Sequence, residues 1–342
     1  MMQISQSPMV DNYKKERLGV VTAQLDVEHC LPEQTTHNNN SWFAFGRYQM
    51  EDCVLDFLFH IQQLQFPKLF GGKKYQSVVT VFNETTGAYY AKDYLFKAEK
   101  IVSETERFFL KMPNGIMEGD WNNMHICIDE KPADLHLDIC TTAIHYPVVT
   151  CGTSVFELMG MCIHQFSVPY MKTKGSMIWK GNTYDLTDRG YVWFDRQWQF
   201  VDMRKPMKWS WMAIYLDNGD IISVLDCDVP GYETGLFSNL CADGTQINSM
   251  GHDAVVPFKH GESEYYYNEN SKQEYPTHWH IEIPKLDTKL EVKPFKKEQD
   301  IASVLKPLSK YEGVCRVSGS YKGIKVQGTA LVELVGSWPK RN

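Results

Sequence analysis

Gly190-Tyr191-Val192-Trp193-Phe194-Asp195-Arg196-Gln197-Trp198 sets a carboxylate in the middle of a strand-like run of aromatic rings. In an extended strand alternate side chains share a face, so Trp193, Asp195 and Gln197 point one way and Phe194, Arg196 and Trp198 the other. A lone acid beside an indole and an amide is poorly solvated, which raises its pKa and lets it stay protonated near neutral pH as a proton donor. The competing reading is structural. A bend that brings the Arg196 guanidinium to Asp195 makes a buried ion pair and keeps the acid ionised. Spacing leaves both readings open, since ion pairs in sheets also perturb pKa values.

The same period of two runs outward from this stretch, through Leu135 to Cys140, Gly175 to Trp179 and Trp209 to Leu216. Asp217-Asn218-Gly219-Asp220 ahead of Ile221 to Leu225 predicts a hairpin with a tight type I′ turn, and Gly181-Asn182 marks a second one. Gly313 to Gly323 and Ile324 to Val335 read as a closing meander. Only Glu298 to Leu308, ended by Pro307, carries a helical pattern. The expected fold is therefore all-β, with two antiparallel barrels or sandwiches. Residues 1–40 form a lead-in strap, 41–203 a first domain and 204–342 a second. Arg204-Lys205-Pro206 marks the boundary because a proline there interrupts strand pairing.

Aromatic residues make up 13% of the 342, with 9 Trp, 18 Tyr and 17 Phe, more flat apolar surface than a core of Leu and Val presents. That surplus suits a pocket for a hydrophobic small molecule. The formal charge of −7, without a basic stripe, offers nothing to a phosphate backbone or an anionic lipid surface, so nucleic acid and stable membrane insertion are not expected. The first 21 residues lack an apolar run for secretion, and no window is long enough to span a bilayer. Nine cysteines without C-x-x-C pairing fit reduced thiols in a cytoplasmic protein, which leaves the sequons at Asn39 and Asn83 without meaning. Gly152 to Phe156 lacks the closing glycine of a nucleophile elbow, Phe70 to Lys74 lacks phosphate-loop spacing, and no G-x-G-x-x-G occurs. No cofactor is expected.

Tyr170-Met171-Lys172-Thr173-Lys174-Gly175, Gly181 to Thr187 and Trp193-Phe194-Asp195-Arg196-Gln197-Trp198 together resemble the carotenoid hydratase and AttH-like family. Trp209-Ser210-Trp211, Tyr275 to Pro284 and Gly328 to Gly336 resemble its later signatures, so the likeness covers about residues 41 to 336. The resemblance implies a tandem lipocalin-like fold of two domains packed side by side. It also implies chemistry on a long unsaturated chain in a dry pocket, either hydration of an isoprenoid double bond or Diels–Alderase-type cyclisation of a polyene polyketide. In hydratase-like members the acid at the Asp195 position is the candidate that protonates the alkene. Cyclase-like members hold a reactive conformer by shape and need no acid. Ser41 stands where the family usually carries an acidic residue before paired aromatics.

The expectation drawn from these readings is an enzyme that encloses a polyene between its two domains, with cyclisation first, hydration second and a non-catalytic carrier as the rival. Asp195 and Gln197 are the candidate catalytic residues. Trp42, Trp193, Trp209, Trp211, Tyr215, Lys325 and Glu333 are candidates for holding substrate, the aromatic rings among them able to stabilise a carbocation. His278, His280 and Glu282 share a strand face at a spacing a metal can use, but a polar outer face opposite Trp279, Ile281 and Ile283 explains them, and no metal is expected. The assembly is expected to be a monomer or a homodimer.

Overall fold

The computed structural model describes residues 27–202, 205, 207–249, 251, 253–261 and 264–341. Residues 1–26, which hold most of the expected strap and the stretch read as non-secretory, lie outside the described residues, as do Arg204 and Pro206 of the expected boundary.

The strand Asn39–Gln49 is buried along nearly its whole length, with Phe43 and Phe45 on one face and Trp42 and Ala44 on the other. A strand apolar on both sides needs cover on both sides. Two antiparallel sheets provide it. The first runs, at its centre, Lys73–Asn83, Val54–Gln65, Asn39–Gln49, Gly190–Gln199, Met161–Trp179 and Leu135–Ala143. The second runs Ile221–Cys227, Lys208–Leu216, Ile324–Gly336, Lys310–Tyr321 and Thr288–Pro294 through its middle. The expected all-β architecture of two curled antiparallel half-barrels is what the chain adopts. In each sheet the first long strand pairs with the last, Asn39–Gln49 with Gly190–Gln199 and Lys208–Leu216 with Ile324–Gly336.

Strand parity sorts the apolar side chains into three cores. Trp42, Phe57, Phe59, Phe166 and Phe194 fill the curl of the first sheet. Met212, Ile214, Trp279, Tyr311 and Val332 fill the curl of the second. Between them Phe43, Phe45, Leu58 and Trp193 meet Trp211, Tyr215, Val314 and Leu331. The outer faces of the two half-barrels are thus packed against each other, and the cavity described below opens in that layer.

Two local expectations are corrected. Glu298 to Leu308 is not a helix: it holds a two-residue strand, Asp300–Ile301, and one 3-10 turn, Lys306–Leu308. The Gln299 side chain bonds both the Val314 nitrogen and the Val314 oxygen, 3.0 and 3.1 Å, and docks this segment against the sheet in place of helical hydrogen bonds. The Asn218-Gly219 hairpin forms, but only Gly219 takes a positive φ, and its nitrogen bonds Leu216 oxygen at 3.0 Å. That is a type I turn followed by a left-handed glycine rather than type I′. Paired positive φ values of the I′ kind occur instead at the second expected hairpin, at Lys180-Gly181, and at Met159-Gly160 and Lys322-Gly323.

Candidate active site

The layer between the half-barrels encloses a cavity of about 490 Å³. Its floor on the first sheet consists of cross-strand rows. In one row Ser167, Asp195, Phe43 and His60 lie opposite one another on four neighbouring strands. In the next row Gln165, Gln197, Ser41, Gln62 and Gln76 align across five. The second sheet contributes Leu225, Trp211, Glu333 and Glu312 as a matching row. Trp211 faces Glu333 as Phe43 faces Asp195, each an aromatic on a first strand opposite a carboxyl on a last strand, so the two acids occupy corresponding places in the two halves. Cavity walls of apolar character come from Phe43, Phe156, Leu158, Trp209, Trp211 and Leu225.

Asp195 lines this cavity and is 8% exposed. Its Oδ1 has no hydrogen-bond partner among the described residues. Burial pushes its carboxyl up to about 7; Ser167, Trp193 and Gln165 pull the other way, and Glu333 adds to the rise. Ser167, Trp193 and Gln165 stand beside the carboxyl without satisfying Oδ1.

Arg196 does not pair with Asp195. It projects into the opposite core, sandwiched between the rings of Trp42 and Trp198 at 4.5 and 5.0 Å. Its guanidinium donates to the carbonyls of Cys30, Leu31, Pro32, Ser41 and Gln197 and to Asn40 Oδ1. Burial lowers its pKa to about 9. The expected ion pair is therefore absent, because parity sends the two side chains to different cores and the arginine finds six acceptors there, three from the segment before the first strand, two from that strand and one from its own.

A charged cluster faces Asp195 from the second sheet. Lys310 Nζ lies 2.6 Å from Glu312 Oε1, 3.4 Å from Glu333 Oε1 and 2.5 Å from His60 Nδ1. Burial pulls Lys310 down, but the two carboxylates outweigh it and keep the ammonium charged. Burial and that neighbouring ammonium hold His60 well below its usual pKa, so the ring is neutral. Its Nδ1 accepts from Lys310, which leaves Nε2–H to donate to Ser41 Oγ at 2.8 Å. Burial pushes the Glu312 carboxyl up, and the Lys310 ammonium opposes that rise. His60, Glu312 and Glu333 bring ligand atoms within 4.8 Å of one another, a spacing a metal uses, yet all three already converge on the Lys310 ammonium.

Of the residues singled out in the sequence, Asp195, Gln197, Trp209, Trp211 and Glu333 line the cavity. Trp209 Nε1 reaches Glu333 Oε2 at 3.4 Å. Trp193 and Tyr215 stand behind the wall: Trp193 packs on Trp211 at 5.5 Å and Tyr215 bonds the Pro169 carbonyl at 2.6 Å. Two expectations are corrected. Trp42 is a core residue on the other face of its strand, its Nε1 bonded to Leu31 oxygen at 2.7 Å. Lys325 is exposed at the hairpin joining the last two strands, opposite Ser320 and remote from the cavity row. His60, Lys310, Glu312 and the glutamines that align with Gln197 were missed. Their signal was polar residues at every second place, His60-Gln62 against Phe59-Ile61, a pattern that reads as a solvent face until a second sheet covers it.

A family model described as AttH-like matches residues 79–337. Among curated proteins, the chain is 22% identical over 226 residues to the dehydratase asqC of Emericella nidulans, covering 65% of this chain and 63% of that protein. It is 22% identical over 205 residues to the kievitone hydratase of Fusarium solani subsp. phaseoli, covering 58% and 57%. These matches span less than two-thirds of the length of either relative. Among solved structures, kievitone hydratase from Nectria haematococca superposes with a TM-score of 0.76 at 17% identity, over 92% of this chain and 93% of that one. At that identity the superposition establishes the shared fold.

Proposed function

This chain belongs to the AttH-like family, and on that premise we propose that it is a lyase-type enzyme of specialised metabolism that adds water to, or removes it from, a carbon–carbon double bond. The observation that carries this reading is Asp195: a carboxyl with one oxygen that has no hydrogen-bond partner among the described residues, no pairing with Arg196 and a pKa of about 7, on the wall of a cavity large enough for a small organic molecule. Such a group gives up a proton near neutral pH and takes it back. The hydratase and dehydratase relatives support the same chemistry.

In the hydration direction the Asp195 proton passes to one alkene carbon and the neighbouring carbon becomes cationic. The faces of Trp209, Trp211 and Phe43 stabilise that charge. Water adds to the cation and loses a proton to Glu333, whose carboxylate is held by Lys310. The proton then returns to Asp195 through solvent, and dehydration runs the same steps backwards. Cyclisation by shape alone would leave a buried, unsatisfied acid without a purpose, and such a group is costly to keep.

The glutamine row narrows the substrate. Five neutral polar side chains in register along the cavity match hydroxyl or carbonyl oxygens better than bare hydrocarbon. The substrate is then an alkene whose other end is oxygenated, rather than an unadorned polyene. The test is turnover of hydroxylated and carbonyl-bearing alkenes in ¹⁸O-labelled water, by mass spectrometry. Hydration places the label in the product, and Asp195→Asn lowers turnover by at least about 10²-fold while binding persists. Substrate consumed without label points to cyclisation. Equal binding with no turnover in either form marks a carrier, and full activity in Asp195→Asn removes the acid.

A further inference from the structure

The sequence sets His278 and His280 two apart on a strand and leaves the third ligand open. Glu282 is not brought to them, but the sheet supplies another carboxylate. In the pairing of Trp279–Ile283 with Thr288–Pro294, His280 stands directly opposite Glu291. Opposite residues on one face bring their Cβ atoms to about 5 Å. One ligand atom from each of His278, His280 and Glu291 lies within 4.8 Å of the others, and the two imidazoles are 4.5 Å apart. His278 is held from both sides, Nε2 at 2.7 Å from Glu291 Oε1 and Nδ1 at 3.3 Å from Glu264 Oε1.

We propose that His278, His280 and Glu291 bind a divalent transition-metal ion of the zinc class, with Glu264 orienting His278 and water completing the coordination. Two imidazoles and one carboxylate with an open position form a set that zinc takes, whereas magnesium and calcium call for oxygen ligands. A carboxylate behind a ligating histidine fixes its tautomer, and Glu264 on Nδ1 leaves Nε2 for the ion. His280 is exposed and Glu291 is 39% exposed, so the ion reaches the site from solvent. Lys293 lies 2.9 Å from Glu291, and Lys259 stands opposite His280 on the other neighbouring strand. Both lysines are exposed, and Lys293 swings into water when the ion takes the carboxylate. The site sits on the outer face of the second sheet, behind the core formed by Trp279, Ile281 and Ile283, and shares no residue with the cavity. Its effect is to tie two strands together.

The experiment is calorimetric titration of chelator-stripped, tag-free full-length protein with Zn²⁺, with Mg²⁺ as the comparison and Co²⁺ as a spectroscopic probe. One equivalent of Zn²⁺ binds, Mg²⁺ does not, and Co²⁺ shows the visible absorption of a four-coordinate site. His280→Ala, at an exposed position, and Glu291→Gln, at a half-buried one, abolish binding. Glu264→Gln weakens it by about 10- to 100-fold, and Glu282→Gln leaves it unchanged. No saturable binding overturns the proposal, as does binding that persists in both His280→Ala and Glu291→Gln or disappears in Glu282→Gln. In those cases His278 is only a ring bridging Glu264 and Glu291.

Discussion

Asp195 and Arg196 are neighbours in sequence with opposite fates, and the reason is the side of the strand each occupies. The sequence leaves two states open for Asp195, a proton donor or an ionised partner of Arg196. The structure removes the second by giving Arg196 six oxygen acceptors in the first core. The consequence is a pH signature. With the folded carboxyl raised from 3.8 to about 7, the folded protein holds a proton between those values that the unfolded chain has released. This contribution to stability is full below about pH 4 and is lost as pH rises through 7. Asparagine, nearly the same shape and never charged, escapes the loss. Denaturant unfolding should show Asp195→Asn gaining on the wild type from pH 4 to pH 8. The gain is on the order of 4 kcal/mol at most, from about 1.4 kcal/mol for each of roughly three pKa units. Equal pH dependence in the two proteins would mean that Asp195 is ionised throughout.

At the level of the strands, alternation decided which side chains share a face, and it was legible. Trp193, Asp195 and Gln197 do share one, and Trp209 and Trp211 share another. What a strand's pattern does not carry is what lies over the face. Gln62, Gln76 and Gln165 read one at a time as exposed polar residues, with nothing to join them to Ser41 and Gln197. Register places them in one row, and the second sheet encloses that row. If the row binds substrate oxygens, Gln62→Leu and Gln197→Leu should each raise KM for an oxygenated substrate about two- to tenfold, the equivalent of one hydrogen bond. Both should leave kcat and the melting temperature nearly unchanged. Steady-state kinetics with thermal unfolding checks this, and a loss confined to kcat would assign Gln197 to the chemistry instead.

Across the whole molecule, the site exists only because two half-barrels turn their outer faces toward each other. Asp195, His60 and the glutamines come from one sheet; Trp209, Trp211, Lys310 and Glu333 come from the other. Trp211 is the hinge pin of that contact, 5.8 Å from Phe43 and 5.5 Å from Trp193 across the layer. Trp211→Ala should cost about 3–5 kcal/mol, the usual loss for emptying a large aromatic site. It should also weaken the coupling between the halves, so that calorimetry resolves two transitions where the wild type shows one. A single transition at an unchanged temperature would show that the layer contributes little to holding the halves together.

Composition and period two were enough to determine an all-β chain, its strand faces, and a carboxyl set among rings, because these depend on neighbours one or two residues away. The proton state of Asp195, the convergence of His60, Lys310, Glu312 and Glu333, and the pairing of His280 with Glu291 were decided by the folded arrangement alone. Each depends on which strand lies opposite and whether water reaches the face, and both are set by contacts between residues from 11 to 250 positions apart.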